Sequence, residues 1–388
     1  MTVEISILNK QGIALAADSA VTVSGFNKKV YNSVNKIFQL SDEIGIMVYG
    51  AADYLGVPWK IIISMFKKQC PDFSTLEECY QQFIDFIQND TRFVNEAAEE
   101  SFIDYYATGM LFRYGNQLEN ENISLVDKKM GSKRKKLVLK YGQSVKEFHE
   151  FLLINDRTKK EERFVIKNMD LVINNIFNLF LVKTYLSESG IVIAGYGKDE
   201  IFPGYINIEI EGCFEGKMRH TEKAKEQVDT SSPGIIVTFA QDDVIKLFLH
   251  GISEEYIEMV PYLFEKKVEY ALELFNENGL LKKLSAKERK GLLKIAEEVD
   301  KTITEETQKN LREYSEKSFV NNVRQMLGIL PTRELVQLAE SMINITTLKR
   351  RITDTHEGVG GETDVAIITK EEGFEWVRIK KLYGKDDC

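Results

Sequence analysis

The chain has 388 residues, 43% of them hydrophobic and 29% charged, with six prolines and a net charge of −9. This is the composition of a soluble globular protein of one large or two ordinary domains. It leaves no room for a long Pro-rich linker, and the acidic balance argues against a general nucleic-acid binder. The four cysteines, Cys70, Cys79, Cys213 and Cys388, form no C-x-x-C pair, so neither a disulfide framework nor a zinc site is indicated.

The first predicted element is a strand. Val3, Ile5 and Ile7 alternate with Glu4 and Ser6, and Lys10-Gln11-Gly12 follows as a tight turn. GIALAAD reads as a second, doubly buried strand. A looser hairpin, SAVTVSGFNKKVYNSV, bends at Ser24-Gly25, and VNKIFQL and IGIMVY add two short strands. The pattern switches at Gly50. From Ala51 the apolar residues Tyr54, Leu55, Trp59, Ile62, Ile63 and Phe66 take helical spacing up to Pro71. A second helix fits Leu76 to Phe93, with Ser74 and Thr75 as caps.

Residues 96–187 read as a helical, polar insertion. Its most apolar run, LVINNIFNLFLV, is too short to cross a bilayer. Its basic run, with seven Lys and Arg between Lys128 and Lys140, reads as a solvated loop rather than a nucleic-acid contact. Strands return at GIVIAGYG, YINIEIEG and GIIVTFA, and a helix begins at Asp242. Ser253 to about Ile345 is almost all helix, its apolar stripes read as packing faces. ETDVAIITK and FEWVRIKKL close the chain as two strands around Glu371-Glu372-Gly373. No solenoid-length repeat is visible. With no leader ahead of the first strand, the expected location is cytoplasmic, with reduced thiols.

Thr2, Asp18, Lys36 and Gly50 are unremarkable singly but fit one chemical device together. Methionine removal ahead of a small residue would leave Thr2 with a free α-amine and a β-hydroxyl. An α-amine has a pKa of about 7.7–8.0, so much of it is neutral and able to take the hydroxyl proton. A lysine nearby favours the neutral amine by repulsion, an aspartate keeps that lysine charged, and a backbone N–H at Gly50 would hold an oxyanion. No metal or cofactor is called for.

TVEISILNKQGIALAADSAVT resembles the start of a mature proteasome β-subunit and its bacterial relatives among the N-terminal nucleophile (Ntn) hydrolases. On that resemblance Thr2 falls on the catalytic threonine, Asp18 on the family's aspartate and Gly12 on the glycine of the first turn. Thr22 falls on the threonine that pairs with a substrate chain. Lys36 falls on the catalytic lysine, with Lys28 and Lys29 as rivals, and Gly50 in VYGAAD on the oxyanion amide. Val21, Val48 and Ala52 match positions lining the first specificity pocket, which implies an apolar residue on the acyl side of the cut bond. GIVIAGYG, FPGYINIEIEG and VGGETDVAIITKEEGFEW resemble the later strands.

The chain departs from the family where its supporting serine and aspartate belong. His356, Val359 and Gln241 stand there, and Asp354 or His356 would take over part of that relay. The resemblance implies an α+β fold, a four-layer α/β/β/α sandwich of two antiparallel sheets. It would be a single domain over 1–388, with its core at about 1–95, 188–252 and 353–383 and helical insertions at about 96–187 and 253–352. It implies a threonine peptidase acting on a peptide or unfolded protein, in a homo-oligomer or ring, with no membrane. The alternative is a catalytically silent scaffold on the same fold, as proteasome α-subunits are.

Overall fold

The computed structural model describes residues 3–23, 29–31, 34–70, 72–114, 128–155, 169–182, 189–240, 242–353 and 360–380. The fold is mixed, with helices and antiparallel sheets, and the chain divides into two compact units. One is Met1–Val34, Val228–Thr369 and Glu375–Cys388; the other is Asn35–Gln227 and Lys370–Phe374.

The first unit is built on a five-stranded sheet. Its strands are β1 (Val3–Asn9), β2 (Gly12–Ala17), β12 (Ile235–Ala240), β13 (Asp364–Thr369) and β14 (Gly373–Arg378, of which Glu375 onward belongs to this unit), in the order β12-β1-β2-β13-β14. β1 and β2 form the expected hairpin, with Glu4 opposite Ala17 and Asn9 opposite Gly12. The predicted alternation in β1 is chemical, not a contrast of exposure, because all seven of its residues are buried. Val3, Ile5, Ile7, Ala14 and Ala16 share a core with the helices α6 (Asp243–His250), α9 (Asn321–Leu327) and α10 (Thr332–Thr353). β3 (Val21–Val23) and β4 (Lys29–Tyr31) pair antiparallel, as the looser hairpin requires. α7 (Glu254–Glu277) and α8 (Ala286–Ser315) form a helical hairpin closed by an ion pair between Arg312 and Glu254.

The second unit carries a sheet of the order β11-β10-β9-β6-β5. Its strands are β5 (Ile37–Gln39), β6 (Ile44–Gly50), β9 (Ser189–Gly195), β10 (Gly204–Phe214) and β11 (Lys217–Gln227). The Ile and Val side chains of β6, β9 and β10 pack against α1 (Trp59–Lys67) and α2 (Leu76–Asn89). Thr75 caps α2 by accepting the Glu78 amide, as its position predicts. α3 (Glu96–Tyr114), α4 (Lys128–Asn155) and α5 (Met169–Val182) enclose a core of their own around Tyr106, Phe177 and Phe180.

Three expectations need correction. Helix α1 begins at Trp59, not Ala51, because β7 (Asp53–Tyr54) and β8 (Val57–Pro58) form a small hairpin first. That hairpin uses positive φ at Leu55 (49°) and Gly56 (86°), which a helix does not allow. The basic run 128–140 is the first half of α4 rather than a loop. Lys133 pairs with Glu215 at 2.7 Å, Lys140 with Glu100, and Arg134 reaches Asn178 at 3.2 Å. Finally, KMRHTEKAKEQ carries no strand pattern yet forms β11. It is an edge strand whose charges are tied inward, Lys223 to Glu209 at 2.7 Å and Arg219 to Glu211 at 3.4 Å.

Candidate functional site

Asp18 directly follows β2 and is 1% exposed. A carboxylate taken out of water needs donors, and three backbone amides supply them. Val3 N–H donates to Oδ1 at 3.0 Å, while Gly360 N–H and Ala20 N–H donate to Oδ2 at 3.1 and 3.3 Å. Around it, Asp18 N–H donates to the Val3 carbonyl at 3.2 Å and Ser19 N–H to the Gly360 carbonyl at 3.2 Å. The Ser19 hydroxyl donates to the Glu362 carbonyl. One carboxylate thus gathers the start of β1, the end of β2 and the Gly360 segment ahead of β13. The amide it holds on β1 is that of the Thr2–Val3 peptide bond.

Thr2 itself, Asp354 and His356 lie outside the described residues, as do Lys28, Gln241 and Val359. Val21 and Thr22 are placed by backbone alone, on β3 opposite Tyr31 and Val30.

The remaining candidates belong to the second unit. Lys36, only 5% exposed, precedes β5, and its carbonyl accepts the Val48 amide at 2.9 Å. Val48 packs in the core between β6 and the helices α1 and α2. Gly50 closes β6 opposite Ser189 with φ of 80°, a backbone state that favours glycine, and it is exposed. Ala52 is exposed, and its carbonyl accepts the Trp59 amide at 3.1 Å, bridging the small hairpin ahead of α1. The strand-to-helix turn expected at Gly50 is therefore a strand-to-hairpin turn.

Ser189 is the residue the sequence reading missed. Buried at the start of β9, its hydroxyl accepts the Trp59 indole N–H at 2.9 Å and faces the carbonyls of Ala51 at 3.3 Å and Asp53 at 3.4 Å. It ties the segment after Gly50 to the sheet and to the first turn of α1. The Tyr54 hydroxyl adds a bond to the Gly212 carbonyl at 3.1 Å. Among the described residues no group of three or more His, Cys, Asp or Glu side chains is placed to hold a metal ion, and no helix is long and apolar enough to cross a membrane.

No protein-family model matches the chain. No curated protein matches it in sequence either.

Proposed function

We propose that the chain hydrolyses peptide bonds with Thr2 as an N-terminal nucleophile. The observation that carries this reading is the buried Asp18 carboxylate on the amide of the Thr2–Val3 bond. An invested, desolvated acid at that point fixes the start of β1, and so the anchor from which a nucleophile at residue 2 would act.

In this reading Met1 is removed and the Thr2 α-amine takes the proton of its own hydroxyl as the oxygen attacks a substrate carbonyl. Lys36 and Asp18 tune that amine, and the Gly50 amide N–H donates to the oxyanion. Collapse expels the amine half of the substrate, which leaves with the proton. The acyl group stays as an ester on Thr2, and water then hydrolyses it to the free acid and restores the hydroxyl. The substrate is a peptide or unfolded protein with an apolar residue before the cut, from Val21, Val48 and Ala52. The four-layer arrangement, the single-domain organisation and an Asp354 or His356 relay belong to the same reading.

A silent scaffold is the second reading. It is favoured by the same carboxylate, since three backbone amides on Asp18 serve a structural staple equally well.

Intact mass of the purified protein, before and after a peptide epoxyketone, separates the two. That warhead closes a ring only on a hydroxyl and a free α-amine of one residue. Loss of Met1 with one adduct, abolished in Thr2→Ala, is the expected result. Retained Met1, or a processed chain that never reacts, overturns the peptidase reading in favour of the scaffold.

A further inference from the structure

The apolar stripes of the second helical block were expected to be packing faces, and on the α7–α8 hairpin only half of them are. One stripe of α7, formed by Ile257, Val260, Phe264, Val268 and Ala271, is buried or half-buried along the seam with α8. A second stripe, Tyr256, Met259, Leu263, Tyr270 and Leu274, recurs at helical spacing on a different face and stands in water. On α8 the seam is Leu292, Ala296, Asp300 and Thr307, while Ile295, Val299 and Ile303 form an open stripe.

Each open stripe is rotated about 100° from its own seam, in the same sense along its helix. Because the two helices run antiparallel, with Arg312 at the end of α8 on Glu254 at the start of α7, both stripes come to the same side of the hairpin. The eight residues are 37–62% exposed. With about 150–200 Å² for each whole residue, they leave roughly 600–750 Å² in water, apolar apart from the Tyr hydroxyls and some backbone. That is at or above the largest patch usual for a monomer and approaches the ~800 Å² that each partner gives to a standard interface.

Charge points to how that surface is covered. α7 carries seven Glu against two Lys, whereas Lys287, Arg289, Lys290 and Lys294 gather in the first turns of α8. Two copies related by a two-fold axis along the hairpin would set each α7 antiparallel over the other copy's α8. Glu273 and Glu277 then lie level with that basic end, and the acidic helices are kept off one another.

We infer that the α7–α8 hairpin is a homodimerisation arm, a second copy of this chain covering its open apolar face. The inference does not depend on Thr2 or on any activity. Sedimentation and light scattering of the full chain test it. The expected result is a dimer at micromolar concentration and, in Leu263→Glu/Tyr270→Glu, a monomer with unchanged circular dichroism, its Kd raised at least about 100-fold. Glu273→Lys/Glu277→Lys, which leaves the apolar seam intact, weakens the dimer as well. Adding Lys290→Glu/Lys294→Glu restores it. Leu139→Glu, on an exposed apolar residue of α4, leaves association unchanged. A wild-type chain that stays monomeric at about 100 μM, well above the Kd of a stable interface of this size, overturns the inference. So does association that survives Leu263→Glu/Tyr270→Glu, or that is lost equally in Leu139→Glu.

Discussion

Asp18 and Val3 are joined twice: the Val3 amide donates to Asp18 Oδ1 at 3.0 Å, and the Asp18 amide donates to the Val3 carbonyl at 3.2 Å. Any residue at position 18 makes the second bond, but only an acceptor side chain makes the first. Asp18→Ala leaves the buried amides of Val3, Ala20 and Gly360 without the carboxylate. Bonds to a charged acceptor contribute about 1.5–3 kcal/mol each and do not add in full, so the expected loss is about 3–5 kcal/mol. Asp18→Asn keeps one carbonyl oxygen and is expected to lose about half as much. Urea unfolding measures both, and an Ala variant within about 1 kcal/mol of wild type would refute the staple.

Ser189→Ala tests the turn after Gly50. It leaves the Trp59 indole N–H without its acceptor at a buried position, and the Ala51 and Asp53 carbonyls without the hydroxyl they face. The expected loss of stability is about 1–3 kcal/mol. If the Gly50 amide serves as an oxyanion donor, the rate of epoxyketone adduct formation falls while Met1 removal is unchanged. A thermal melt and a mass time course read the two effects separately. An unchanged melt would show that Ser189 does not hold the turn.

Much of the fold was legible because its central strands are strongly patterned. β1 and β2, and the Thr75 cap of α2, stand where alternation and capping chemistry place them. β11 escaped because nearly every residue in KMRHTEKAKEQ is polar. As an edge strand it needs only Met218 inside, and its one local signal is the Glu215-Gly216 turn, where φ is 52° and 69°. Spacing alone starts α1 eight residues early because Tyr54 and Leu55 keep helical spacing with Trp59 although they belong to the β7–β8 hairpin. At the site, the spacing after Thr2 singles out Asp18 but as a partner for Lys36, not as the acceptor of three backbone amides. Its partners Ala20 and Gly360 offer only backbone amides, which no side-chain pattern announces. Ser189 was hidden for a similar reason, since its bonds run 130 residues away to Trp59.

Asp243, the first residue of α6, ties that helix to α10 by accepting from Lys349 at 2.9 Å and Arg350 at 2.5 Å. Partial burial pushes its carboxyl upward, but the Lys349 bond and the Arg350 charge outweigh it and hold the group below its ordinary value. With the folded value depressed, the unfolded chain binds the extra proton. The stabilisation is therefore fully present above the unfolded pKa of about 3.9 and is lost as pH falls through the folded one. Asp243→Asn is expected to melt below wild type at pH 7 by less than about 1 kcal/mol, since the pair is partly solvated. The gap begins to shrink below pH about 4 and closes only once the pH is below the depressed folded value, as in melts at about pH 2. A gap that persists there assigns the effect to something other than the charge.

The thiols give a prediction free of any functional reading. Burial pushes the Cys213 thiol up to about 11, with Glu99 adding to the rise. Burial likewise takes Cys70 to about 11 against the opposing charge of Lys67, and it holds Cys79 well above its ordinary value. At pH 8 a thiol of that kind is about one part in a thousand thiolate, against about a quarter for an ordinary cysteine, and the thiolate is the species that alkylates. Iodoacetamide labelling of Cys70 and Cys213, followed peptide by peptide in the folded protein, should be slower than in urea by on the order of 100-fold. It should also rise about tenfold per pH unit between pH 8 and 10. Because Cys70 is only half-buried, it separates the two causes of inertness. Fast labelling there at pH 8 would mean that burial does not suppress its thiolate, whereas slow labelling that tracks pH assigns the inertness to proton affinity rather than to access.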